Sequence, residues 1–131
     1  MNRREKAIEK HKEGCNCAQA VACVFADRLG YSEDELFRLT EAFGGGMGGT
    51  QGVCGAVSAM VFVAGAIKSL GIDKLPVTNK KESYNSAREL MEKFENETGT
   101  IMCSEIKNAN LYTCDECIEK SVELLEQFIG E

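Results

Sequence analysis

Residues 36–60 read LFRLTEAFGGGMGGTQGVCGAVSAM, and the fold turns on whether the eight residues before the glycines form a strand or a helix. Six glycines fall within Gly44–Gly52, and Gly44-x-Gly46-x-x-Gly49 has the spacing of a dinucleotide-binding loop. That loop works only behind a strand, because strand–turn–helix geometry aims the backbone amides at a pyrophosphate. Leu36–Phe43 shows no strand-like alternation, and it follows Ser32-Glu33-Asp34-Glu35, a capping box that opens a helix. No lysine follows the glycines, so the phosphate loop of nucleoside triphosphatases is excluded as well. The stretch is read as a loop between two helices. A plain linker does not need six glycines, each costly in entropy to order, so close approach of the backbone to another group is expected.

Working outward, the periodicity is helical nearly throughout. Arg3–Lys12 is a polar opening helix. Cys17–Leu29 carries Val21, Val24, Phe25 and Leu29 on one face, and Gly30 stops it. Val53–Leu70 is apolar around most of its circumference and belongs at the centre of the core, with Gly52, Ala56, Ala59 and Ala64 permitting close helix approach. Lys80–Thr98 is a long charged helix with Tyr84, Ala87, Leu90, Met91 and Phe94 as its apolar stripe. Ile101–Ile106 is a short turn, and Thr113-Cys114-Asp115-Glu116 is a second capping box, opening a last helix to Phe128. The expected architecture is all-α: one domain over residues 1–131, an antiparallel bundle of about five helices with the glycine loop ahead of the central one.

Composition removes several functions. With 15 Lys and Arg against 21 Asp and Glu, the net charge is −6, which argues against nucleic acid. No basic amphipathic stretch suggests a membrane surface. The N-terminal MNRREKAIEKHKEG lacks the apolar core of a signal peptide, and Val53–Ile67 falls short of the roughly 20 residues a bilayer span requires. A cytoplasmic location is the expectation. Seven cysteines are then informative, because a reducing compartment disfavours structural disulfides and points to metal ligation or redox chemistry.

Cysteine placement sharpens this. Cys54 falls in the first turn of the central helix, where free amides and the helix dipole favour a thiolate. Cys15 and Cys17 stand at another helix start, and Cys114 and Cys117 at a third. Cys15 and Cys17 are two apart and face nearly opposite ways, so at most one serves a shared site. Cys114 and Cys117 share a face and can pair with each other or hold one metal. Cys23, within AVACVFA, reads as core, and Cys103 alone is unremarkable. His11 is the single histidine and is read as facing solvent, which leaves papain-like chemistry unsupported. Glu95 and Glu97 read as a solvated face, and Met60, Met91 and Met102 as packing.

The residues so isolated, GCNCAQAV (14–21), AFGGGMGGTQGVCGAVSA (42–59), Cys103 and CIEKSVELLE (117–126), resemble the C_GCAxxG_C_C family of redox-active proteins over nearly the whole chain. The resemblance maps the family's four cysteines onto Cys17, Cys54, Cys103 and Cys117, leaving Cys15, Cys23 and Cys114 as extras. Its CGAxxG motif falls on Cys54-Gly55-Ala56 with Ala59 in place of the last glycine. A similar segment in split-Soret cytochromes implies an iron–sulfur role, while the lack of CxxCH excludes covalent haem.

The expectation is a four-cysteine site, Cys17, Cys54, Cys103 and Cys117, serving electron transfer or thiol redox chemistry with a redox partner protein. These four are also the candidate ligands of an iron–sulfur cluster or a thiolate-bound metal, with Cys114 and Cys15 as substitutes. Gly46, Gly48, Gly49 and Gly52 would let the backbone approach that cofactor. A metal-free dithiol carrier with Cys54 as its low-pKa member stands beside this reading. The alternative is a non-catalytic helical interaction module whose cysteines are structural. The small-residue helix and acidic surface permit a homodimer.

Overall fold

The computed structural model describes residues 1–131 as eight α-helices with no strand. They are α1 (Arg3–Glu13), α2 (Cys17–Cys23), α3 (Ala26–Leu29), α4 (Glu33–Thr40), α5 (Gly55–Lys68), α6 (Lys80–Thr98), α7 (Cys103–Asn108) and α8 (Cys114–Ile129). Short 3₁₀ turns follow α4, at Glu41–Phe43, and α5, at Ile72–Lys74. The all-α expectation holds. Six helices are laid out along the sequence, against the round figure of five, and the count reaches eight because the helix expected over Cys17–Leu29 is broken in two and the Ile101–Ile106 turn is a helix shifted to Cys103–Asn108.

The break has a physical cause. Val24 and Phe25 leave helical geometry (ψ −1 and 14°), freeing the Val24 carbonyl, which the Arg3 guanidinium takes up. The same guanidinium lies 4.7 Å from the centre of the buried Phe25 ring and pairs with Asp27 and Glu131 at 2.7–2.8 Å. Arg3 thus ties the start of α1 to both the α2–α3 junction and the chain's last residue.

α5 is the central helix. Ala56, Val57, Ala59, Met60, Val63 and Ala64 are fully buried, and the helix packs on α2, α6 and α8. Its alanines permit this, since each neighbour approaches over a methyl group rather than a long side chain. Leu90 and Phe94 complete the packing from α6, whereas Tyr84, expected in the same stripe, is exposed. Ile118, Val122 and Leu125 complete it from α8.

Capping fixes where the helices begin. Ser32/Glu35 and Thr113/Glu116 form the two capping boxes read from the sequence, and Asn16/Gln19 forms a third at α2. Asn16 Nδ2 also donates to the Glu41 carbonyl at 2.8 Å, and Gln19 Nε2 to the Phe37 carbonyl at 3.1 Å, so the start of α2 is bolted to the end of α4. No helix is long and apolar enough to cross a membrane.

Candidate functional site

The glycine-rich segment is a tightly wound connector with its own hydrogen bonds. Gly45, Gly46, Met47, Gly48, Gly49 and Gln51 all take positive φ. The amides of Gly48, Gly49, Gln51 and Gly52 donate to the carbonyls of Ala42, Gly44, Gly45 and Gly46 at 2.7–3.0 Å. Gly46 shows why glycine is required: at φ 72°, a Cβ there would sit 2.8 Å from Cys103 Cβ and 2.7 Å from the Gly52 nitrogen. Gly44 is as tight, with Asn16 Nδ2 at 2.4 Å from its virtual Cβ. The close approach expected from the sequence therefore exists, and its partners are the Cys103 segment and the start of α2.

The end of the loop is stitched to the Cys103 segment by an isolated antiparallel bridge between Val53 and Met102. Cys54 N donates to Ile101 O at 2.8 Å, and Cys103 N to Gly52 O at 2.7 Å. Cys54 becomes the N-cap of α5 and Cys103 the first residue of α7. Cys17 opens α2, and Cys114 opens α8 with Cys117 one turn later.

These elements enclose a cavity of about 210 Å³ lined by Cys17, Cys54, Cys103, Cys114 and Cys117. All four cysteines picked out by the resemblance therefore meet in one place, with Cys114 as a fifth. Cys15 does not join them. It lies on the other side of α2 with Cys23, Lys10 and Glu33, as the two-residue spacing from Cys17 predicts. Burial raises the Cys15 thiol and holds that of Cys23 at about 11, with the latter also reaching the Glu33 carbonyl at 3.6 Å. Of the four glycines expected beside a cofactor, Gly46 lines the cavity, together with Gly45 and Gly55. Gly48, Gly49 and Gly52 lie outside the lining, with their amides engaged in the loop.

The thiols are electrostatically unequal. A hydrogen bond from the Cys117 thiol lowers Cys54 to about 7, against the opposing cost of burial. The backbone N–H groups of Val57 and Ala56 at the α5 N-terminus and the charge of Lys107 reinforce the effect. Cys117 moves the opposite way, raised by its hydrogen bond to Cys54, by burial and by the neighbouring sulfurs. Cys17 is raised by burial first, then by the charges of Cys114 and Cys54, and it hydrogen-bonds Cys114. Cys54 is thus the thiol whose ionised form the surroundings favour. All seven cysteines are unbridged.

Side chains the sequence did not signal also line the cavity: His11, Asn16, Ile106, Lys107 and Tyr112. The placement of His11 differs from the solvent-facing reading. It is half-buried, and its Nδ1 stands 2.7 Å from Asp115 Oδ1, across 104 residues of chain. Nothing local in HKEG or CDEC marks such a pair.

The five sulfurs on the cavity lining are the candidate donors for a cluster or metal. Soft thiolates are suitable chemically, but no group of three or more His, Cys, Asp or Glu side chains is arranged to hold a metal ion.

A family model described as "Putative redox-active protein (C_GCAxxG_C_C)" matches residues 15–128. No curated protein and no solved structure matches the chain.

Proposed function

The chain belongs to the C_GCAxxG_C_C family of redox-active proteins, and from that premise we propose that it is a thiol–disulfide redox protein using Cys54 and Cys117 as its dithiol. One observation carries the reading: Cys54, at the N-cap position of α5, and Cys117, on α8, line one cavity with three further sulfurs.

The chemistry follows from the asymmetry. A thiolate, not a thiol, attacks a disulfide. Cys54, near half-ionised at neutral pH, attacks one sulfur of an oxidised substrate, forms a mixed disulfide and expels the first substrate thiolate. Cys117 then attacks the Cys54 sulfur, releasing the second thiolate and closing a Cys54–Cys117 disulfide. The two protons lost from the protein leave on the two product thiols. One substrate disulfide is reduced and one protein dithiol oxidised. Lys107 supports the Cys54 thiolate before the attack. Cys103, on the same lining, completes the sulfur wall of the cavity.

The test is a thiol titration of anaerobically purified protein, with iron and sulfide measured on the same sample. The reading expects a reversible two-electron couple mapped by mass spectrometry to Cys54–Cys117 and lost in Cys54→Ser. Stoichiometric iron and sulfide with visible absorption would replace it with cluster chemistry. Cysteine-to-serine variants that change stability alone would return the chain to a structural module.

A further inference from the structure

The proposed dithiol is buried in the cavity lining. Cys54 is 5% exposed, Cys117 3% and Cys103 9%. A disulfide held on another polypeptide cannot bring its sulfur into line with Cys54 through a cavity of about 210 Å³, since attack requires near-contact along the S–S axis. Yet one sulfur of the same cavity is at the surface: Cys114 is exposed, and it belongs to α8 one turn before Cys117. Cys17 is half-buried and lines the same cavity as Cys114, Cys54, Cys103 and Cys117. The sulfurs thus run from the surface inward as Cys114, Cys17, Cys54, Cys117. Cys114 lies outside the four cysteines of the family pattern.

The geometry points to Cys114 as the docking thiol for a polypeptide disulfide, passing oxidation inward through Cys17 to Cys54 and Cys117. This rests on the dithiol reading above and adds to it the entry point and the substrate class. The Cys114 thiolate attacks one sulfur of the external disulfide, forms a mixed disulfide and expels the first thiolate. Cys17 attacks the Cys114 sulfur, expels the second thiolate and forms Cys17–Cys114. The Cys54 thiolate attacks the Cys17 sulfur, returning Cys114 to the reduced state. Cys117 attacks the Cys54 sulfur, closing Cys54–Cys117 and returning Cys17 to a thiol. The sum is one external disulfide reduced to two thiols, with the protons of Cys54 and Cys117 leaving on them. Cys114 and Cys17 end unchanged.

Exposure supports the assignment of roles. The attacked sulfur in each step must be reachable from the next one inward, and on this one lining Cys17 is intermediate in exposure between Cys114 and the buried Cys54 and Cys117. A small disulfide needs no such relay, because it can enter the cavity. The relay therefore predicts a dependence on substrate size that a purely structural Cys114 would not produce.

The experiment mixes the reduced full-length protein with insulin, as the polypeptide disulfide, or with hydroxyethyl disulfide, as the small one. Samples are acid-quenched, and disulfides are mapped by mass spectrometry. Cys114→Ser should slow Cys54–Cys117 formation about tenfold or more with insulin and much less with hydroxyethyl disulfide, because direct encounter with the buried thiol replaces exchange at an exposed one. Cys17→Ser should accumulate an insulin chain on Cys114. Equal insulin rates in wild type and Cys114→Ser, or an insulin chain trapped on Cys54 instead, would overturn the relay and leave the dithiol reading standing. Absence of a Cys54–Cys117 disulfide in wild type with both probes would overturn the dithiol reading and the relay with it.

Discussion

Replacing Cys117 by alanine isolates the interaction that makes Cys54 reactive. The hydrogen bond from Cys117 is the largest influence lowering Cys54 from an ordinary 9.0 to about 7, and burial opposes it. At pH 7 the wild-type thiol is then about half ionised, against about 1% for an unperturbed one, a gain of roughly fiftyfold in thiolate. A thiolate of lower pKa is intrinsically less nucleophilic, and with a Brønsted slope of about 0.4–0.5 the two-unit drop offsets roughly tenfold of that gain. The net advantage at pH 7 is about fivefold. Cys117→Ala removes the donor while burial remains, so the midpoint should climb by about two units or more and alkylation at pH 7 should fall about fivefold. Cys117→Ser keeps an O–H donor and should keep the midpoint near the wild-type value. The sign is fixed by the direction of the shift: because the thiolate form is favoured, reactivity should rise as pH passes upward through about 7 and level off above it. The assay is the iodoacetamide rate across pH 5–10 (an interval of about two to three units on each side), read from the Cys54 peptide by mass spectrometry so that the other six thiols do not interfere. A wild-type midpoint near 9, or an unchanged midpoint in Cys117→Ala, would refute the assignment of Cys54 as the activated thiol.

Four further substitutions test the scaffold, each by urea unfolding. Gly46→Ala places a methyl 2.8 Å from Cys103 Cβ at positive φ and should cost about 3 kcal/mol, combining backbone strain with a clash. Gly49→Ala, also at positive φ but with nothing within 4 Å, should cost only about 1 kcal/mol; equal costs would sink the close-approach account. Thr113→Ala removes the capping box of α8 and should cost about 1 kcal/mol. Arg3→Ala removes the partner of Asp27, Glu131 and the Val24 carbonyl from a side chain only 15% exposed, and a loss of about 2 kcal/mol is expected.

Most of the fold was legible because its signals are local. Ser32, Thr113 and the stop glycines at 30, 99 and 130 act within one helical turn of themselves, so the boundaries at Glu33, Thr98 and Cys114 follow from adjacent residues. The break after Cys23 was not legible, because the Val24 carbonyl is satisfied by Arg3, a residue 21 positions away. Of the site, helix-start placement marked Cys17, Cys54, Cys114 and Cys117. The spacing rule correctly separated Cys15 from Cys17. His11, Lys107 and Tyr112 carried no signal, since their relation to the thiols exists only after α1, α7 and α8 are packed.

The inequality of the sulfurs follows from a limit on charge. Five thiols share a cavity of about 210 Å³, and two thiolates at such separations would repel strongly in a medium of low dielectric. The surroundings favour one position in the cavity for the charge. Cys54 takes that position because it alone combines the Cys117 donor, the Ala56 and Val57 amides and the Lys107 charge. Cys17, though it also opens a helix, is raised first by burial and then by the neighbouring sulfurs, and is held protonated. The glycine loop makes this inequality possible. By pressing Gly46 against Cys103 and Gly44 against Asn16, it seats the N-terminus of α5, rather than that of α2, behind the sulfur that must carry the charge. Nucleophile and resolving thiol are therefore assigned by which sulfur receives the helix amides and which one donates to it.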